Sequence, residues 1–283
     1  MSNGKRSVTY RGHDGISLSG DAWGNPDGQP VLFLHGGGQT RHAWGGTAAE
    51  LASKGWHAVS IDHRGHGDSD WSQDGIYSLD HYIADVGEVL KTFDRPPAVV
   101  GASLGGMTAL VAQGESSRQL FSSVVLVDIT PRVEPKGVSR ILAFMTGWPD
   151  GFASLEEAGD AVASYVPGRE RPKDLSGLKK NLRLGEDGRY RWHWDPNMLN
   201  SNTKSKIRDP ERLLDAARNI TIPALLVRGK LSDIVSEEGA AEFREAVPHA
   251  QYVDVAKAGH MVAGDQNDVF TRSILTFLDE VHP

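Results

Sequence analysis

Ala98-Val-Val-Gly101-Ala-Ser103-Leu-Gly105, running on through Gly106-Met-Thr-Ala-Leu-Val-Ala-Gln-Gly114, is the stretch that decides the fold. The apolar run after Pro96-Pro97 reads as a short buried strand, and the small-residue stretch from Leu104 to Gly114 reads as a helix. Ser103 stands at the junction, with a glycine two positions to either side. Bare backbone at those two positions lets strand and helix approach closely. The turn between them holds the hydroxyl out at the end of a sheet, and the helix N-terminus beneath it favours developing negative charge. The bland reading of the same pentapeptide is a glycine-rich turn. A strand before it and a helix after it favour the nucleophile reading.

Upstream, Val31-Leu-Phe-Leu34 leads directly into His35-Gly-Gly-Gly38. Glycines at the end of a buried strand can aim backbone N–H groups at an oxyanion without a side chain in the way. A phosphate-cradling loop needs a Gly-Lys-Ser/Thr ending, and this stretch continues Gln39-Thr-Arg41 instead. A plain turn is the stronger alternative; read with the serine motif downstream, Gly37 and the residue after the serine, Leu104, are the candidate oxyanion donors. His35, Gly36 and Gly38 are candidate pocket neighbours.

Further strands are expected at residues 17–23, 57–61, 123–127, 224–228 and 252–255. Helices are expected at about 42–54, 79–93, 236–246 and 268–281, the second carrying Ile83, Val86 and Leu90 at helical spacing. This alternation predicts an α/β fold, a mostly parallel doubly wound sheet with helices on both faces. The rhythm fails between about Pro131 and Ile207, where no strand run is visible. That region gathers Trp148, Trp192 and Trp194 with Phe144, Phe152, Tyr165 and Tyr190. Residues 132–206 read as a helical insertion into one core domain made of residues 1–131 and 207–283. Trp192 and Trp194 share a face if residues 191–195 are extended, and either line an apolar pocket or hold a small lid together.

Composition narrows the function. The chain has 283 residues and no cysteine, which excludes a disulfide framework, a thiolate metal site and a cysteine nucleophile. A formal charge of −7 with no basic block argues against nucleic acid or an anionic membrane as partner. No apolar run approaches the length of a membrane span, and the polar N-terminus shows no secretory signal. The expectation is a cytoplasmic protein with a small-molecule partner. His63 and His66 invite a metal reading, but no second ligand cluster accompanies them, so no metal is expected.

A serine nucleophile needs a base. Of the eleven histidines, His260 lies in a loop between the last strand and the last helix, at the carboxyl edge of the sheet. The loop after the preceding strand, Leu226-Val-Arg-Gly-Lys-Leu-Ser-Asp233, supplies a carboxylate to orient it. The chain order Ser103, Asp233, His260 differs from the orders of the chymotrypsin and subtilisin folds.

With these residues the chain resembles the α/β-hydrolases, in particular their serine esterases and the cofactor-free haloperoxidase-like perhydrolases. The likeness covers everything but the insertion. It extends to Asp62-His-Arg-Gly-His-Gly-Asp-Ser69, similar to the family's turn after the fourth strand, which shapes the site wall and packs the oxyanion loop. The resemblance implies a helical cap over Ser103 at residues 132–206. It also implies hydrolysis of a carboxylic ester or lactone of a small, largely apolar substrate through an acyl-enzyme, with no cofactor. Carbon–carbon hydrolases of ring-cleavage products share the triad, yet commonly carry an aromatic residue after the catalytic histidine, where this chain has Met261. Perhydrolases are not separable by motif, and a ligand-binding receptor on the same fold is the alternative of a different class. Some family members take their acid from the earlier strand, which makes Asp128 the competitor of Asp233. Asp233 is preferred because its loop is long enough to reach beneath a histidine.

Overall fold

The computed structural model describes residues 4–165, 175–199, 208–256, 258–260 and 268–282. Strands β1 (Arg6–Arg11), β2 (Ser17–Trp23), β3 (Gln29–Leu34), β4 (Trp56–Ile61), β5 (Ala98–Ala102), β6 (Ser123–Val127), β9 (Ala224–Gly229) and β10 (Gln251–Val255) form one sheet. Their order is β1-β2-β4-β3-β5-β6-β9-β10. From β4 to β10 all pairings are parallel, and β1 and β2 complete the sheet antiparallel. The α/β fold read from the sequence is the fold observed.

Alternation along the central strands explains the two cores. Leu32, Leu34, Val99, Val124, Leu126 and Leu226 face one layer. Val31, Phe33, Val100, Val125, Val127 and Val227 face the other. Because both faces are covered, these strands are apolar throughout. Helices α2 (Leu79–Leu90), α3 (Leu104–Gly114) and α6 (Pro210–Arg218) cover the first face, where Val86, Leu110 and Leu213 are buried. Helices α1 (Gly45–Ser53) and α8 (Asp268–Val281) cover the second through Leu51, Phe270, Ile274 and Leu278. Helix α7 (Glu237–Ala246) joins β9 to β10.

Two features depart from expectation. β1 was not foreseen: its residues Arg-Ser-Val-Thr-Tyr-Arg form an edge strand with no apolar run, held by its ladder to β2. The region between β6 and α6 is also not wholly helical. It contains α4 (Pro135–Thr146) and α5 (Leu155–Tyr165), but also an antiparallel hairpin of β7 (Leu182–Leu184) and β8 (Tyr190–Trp192). Strands of three residues are too short to show a period of two. The hairpin turn is instead marked by Gly185 and Gly188 and clamped by Arg191, whose guanidinium donates to Asp187 at 2.6 and 2.9 Å. Among the described residues no helix is long and apolar enough to cross a membrane.

Candidate active site

Ser103 occupies the turn between β5 and α3 with φ 45° and ψ −112°, a backbone conformation that L side chains rarely adopt. Strain of this kind persists only where the surroundings over-determine it. Here they do. A Cβ on Gly105 would lie 2.3 Å from the Leu34 carbonyl oxygen, and one on Gly101 would lie 2.6 Å from the Gly105 backbone. The helix therefore sits directly against β3 and β5. The Ser103 N–H donates to the Val127 carbonyl at 3.3 Å, and the Gly105 N–H to that of His35 at 3.2 Å, tying the turn to both flanking strands.

The loop after β3 is held from behind by histidines. Gly38, at φ 78°, donates its N–H to His66 Nε2 at 3.2 Å. The His63 N–H donates to His35 Nε2 at 3.0 Å, and the Gly67 N–H to His193 Nδ1 at 2.7 Å. A backbone N–H can only donate, so each of these three rings keeps a lone pair and is neutral. The second nitrogens donate to backbone carbonyls: His35 to Gly36 at 2.8 Å, His66 to Arg64 at 3.0 Å and His193 to Gly38 at 3.3 Å. Burial pushes the imidazoles down, His35 to about 4 and His66 to about 3, with His63 and His193 well below their usual range. These rings position the glycine loop, and among the described residues no group of three or more His, Asp or Glu is arranged to hold a metal. The turn 62–69 is braced in the same way, by the Asp62 carboxylate accepting from the Arg41 guanidinium and from the Asp68 N–H.

His260 and Asp128 meet at the carboxyl edge of the sheet. The His260 Nδ1–H donates to Asp128 Oδ2 at 2.8 Å, and both side chains are almost fully buried. Asp128 follows β6 directly at φ 49°. Its carboxylate also accepts from the Gly229 N–H at 3.0 Å and the Ser232 hydroxyl at 2.7 Å. The expected pairing of His260 with Asp233 does not form. The loop after β9 winds around Ser232, whose hydroxyl oxygen accepts from the N–H groups of Ile234 and Val235 at 3.1 Å each. That tight turn sends Ser232 inward to Asp128 and leaves Asp233 facing α4, where it pairs with Arg140 at 3.1 Å. The loop has the length to reach His260 but not the direction.

Gly37, Ser103, Leu104 and His260 line one cavity of about 320 Å³. Its roof is the apolar face of α4, Val138, Ile141, Leu142 and Met145, at helical spacing. Met107 and Tyr82 contribute from α3 and α2, and Met198, Leu199 and Arg208 from the chain leading to α6. Sequence reasoning missed these. The α4 stripe was visible in principle, whereas nothing local marks Arg208 or Tyr82. His35, Gly36 and Gly38, expected beside the pocket, are not among its described lining residues. The same holds for Trp148, Trp192 and Trp194. Trp192 and Trp194 stack at 4.9 Å, and Trp192 contacts Phe144 and Phe152 at 5.6 and 5.2 Å. Trp148 packs on Phe144 and Phe152. Met261 lies outside the described residues.

Residues 29–265 match the family model for the alpha/beta hydrolase fold. The chain is 30% identical to an esterase of Mycobacterium tuberculosis, over 93% of this chain and 87% of the relative. It is 27% identical to the 2-(acetamidomethylene)succinate hydrolase of Mesorhizobium japonicum, covering 89% and 88% of the two chains. Its structure superposes on that of an alpha/beta hydrolase from Novosphingobium aromaticivorans with a TM-score of 0.81 at 25% identity, covering 98% of both. A strained serine at a strand–helix turn, a glycine loop beside it, a buried histidine–carboxylate pair at the sheet edge and a match across most of the sequence agree: the chain belongs to the α/β-hydrolase fold family.

Proposed function

We propose that the protein is a serine esterase that cleaves a carboxylic ester or lactone of a small, largely apolar substrate through an acyl-enzyme. The observation that carries this reading is that Ser103, strained at the head of α3, and His260, paired to Asp128, line a single apolar cavity. His260 takes the proton of the Ser103 hydroxyl as the oxygen attacks the carbonyl carbon. Asp128 fixes the tautomer with Nδ1 protonated, leaves Nε2 free to act as base, and stabilises the imidazolium that forms. The tetrahedral oxyanion is received by the backbone N–H groups of Gly37 and Leu104, the latter at the positive end of α3. Collapse expels the alcohol, protonated by His260, and a water repeats the sequence to release the acid. Residues 132–206 serve as a cap, in which α4 forms the roof over the serine and the tryptophan cluster braces that roof from behind. The Mycobacterium tuberculosis relative, named an esterase, supports the same chemistry.

The test combines labelling with turnover. A fluorophosphonate probe should modify the wild type at Ser103 alone, and Ser103→Ala should lose about 10⁴ or more in kcat on a short 4-nitrophenyl ester. Labelling that survives in Ser103→Ala overturns the assignment.

A further inference from the structure

Among the described residues, the cavity holds a positive charge with no counter-charge beside it. Arg208 lines it together with Ser103 and His260. Among the described residues no carboxylate, carbonyl or ring partners its guanidinium, and burial alone acts on it, lowering its pKa from the usual arginine value. Its immediate neighbour is occupied elsewhere: Asp209 caps α6, its Oδ1 accepting from the Glu211 and Arg212 N–H groups at 3.1 and 3.2 Å. The fully buried arginines, by contrast, are paired. Arg64 is forked onto Asp85 at 2.6 and 2.7 Å, and Arg41 is tied to Asp62 and Asp68. A second polar group in the cavity wall is also unpartnered. Tyr82 is fully buried, and its hydroxyl has no hydrogen-bond partner among the described residues.

An arginine stays charged even when partly desolvated, so a half-buried guanidinium without an anion is unfavourable until one arrives. A planar guanidinium fork matches a carboxylate, and charge-assisted pairs of this kind are the strong hydrogen bonds of a dry site. We propose that Arg208 receives a free carboxylate of the substrate, so that the enzyme acts on esters carrying an anionic group within the same cavity as the scissile bond. The inference deepens the esterase reading and rests on it. It assigns Arg208 a specificity role, with the remaining apolar wall accommodating the carbon chain between the anion and the ester.

Two matched substrate pairs test it. The 4-nitrophenyl monoester of adipate, compared with the same ester whose second carboxyl is methylated, places the charge in the acyl half. 4-Acetoxybenzoate, compared with its methyl ester, places it in the alcohol half. In at least one pair the wild type should favour the anion in kcat/KM by roughly tenfold to a hundredfold. In Arg208→Gln that ratio should fall to within about twofold of unity, with Arg208→Lys in between. A folded Arg208→Gln is expected, because the change removes an uncompensated charge from an apolar setting, and circular dichroism checks it. Ratios that are the same in wild type and Arg208→Gln, while the neutral esters are turned over, overturn the carboxylate assignment alone. No turnover of any of the four esters, with Ser103 unlabelled by the fluorophosphonate, overturns the esterase reading instead.

Discussion

The carboxylate of Asp128 meets Nδ1 of His260 at 2.8 Å although the two lie 132 residues apart in the chain. The contact joins the end of β6 to the loop after β10, two strands separated in the sheet by β9. It works because Asp128 turns its backbone to φ 49° at once after the strand, which brings the carboxylate against the β9 edge at Gly229 and Ser232.

The first prediction follows from that contact. Asp128→Asn keeps the shape but removes the charge that favours the productive tautomer, and should lower kcat by roughly 10³–10⁴ on any ester the enzyme accepts. Asp233→Asn should leave turnover near the wild-type level, because it loosens a half-exposed pair with Arg140 on the roof helix. Steady-state rates of both variants, each shown to be folded by circular dichroism, decide the matter. A large loss confined to Asp233→Asn would contradict the structure.

Glycines in and beside the serine turn should behave in opposite ways. Gly105→Ala places a methyl 2.3 Å from the Leu34 carbonyl oxygen, a backbone atom that cannot swing aside. The variant should lose about 3 kcal/mol or more of stability, or fail to fold. A Cβ on Gly37, by contrast, meets nothing within 4 Å. Gly37→Ala should keep the wild-type Tm and lose activity instead, since the methyl enters the cavity beside the proposed oxyanion site. Thermal melts of the two variants, read beside rates for Gly37→Ala, separate the effects.

Stability should fall with acid once the pH drops below the ordinary histidine range. His35 and His66 are held neutral at about 4 and about 3, while in the unfolded chain they titrate near 6.5. Between about pH 6.5 and about pH 4 the unfolded state binds protons that the folded state refuses, so each ring subtracts up to about 1.4 kcal/mol per pH unit as the pH drops. Above that window neither contributes. Urea unfolding at several pH values should show this slope, and His66→Gln should reduce it by about one proton. A stability flat between pH 6.5 and 5 would show that these rings are not buried neutral in the folded protein.

What was legible in the sequence follows a physical division. Runs such as Val31–Leu34 and Ser123–Val127 are buried on both faces and announce themselves by composition, and the glycines around Ser103 announce a close approach. β1 escaped notice because an edge strand needs only its ladder. The partner of His260 is Asp128 and not the expected Asp233 because loop length is visible in a sequence and loop direction is not: Ser232 turns the chain, and nothing in its type says which way. The cavity roof lay in the spacing of Val138, Ile141, Leu142 and Met145 on α4, overshadowed by tryptophans with more surface to bury.

That contrast between roof and brace supplies the last prediction. Trp192 and Trp194 stack at 4.9 Å and pack within a cluster that includes Phe144 and Phe152, and neither is among the described cavity-lining residues. Truncating either to Ala removes a large buried side chain and should lower stability by about 3–5 kcal/mol. The order in which acyl groups are preferred should stay as it was, since the cavity wall is unchanged. Ile141 and Met145 have the opposite character. They line the cavity from α4, so shortening them enlarges the space over Ser103. Ile141→Ala and Met145→Ala should therefore move the optimum toward bulkier acyl groups. Ile141 is only partly buried, so its loss should be gentler on the melting temperature than either tryptophan change. A series of 4-nitrophenyl esters graded by acyl bulk, run on all four variants beside thermal melts, reads both quantities at once. A shifted preference in a stable Trp192→Ala, with none in Ile141→Ala or Met145→Ala, would mean that the aromatic cluster and not α4 selects the substrate.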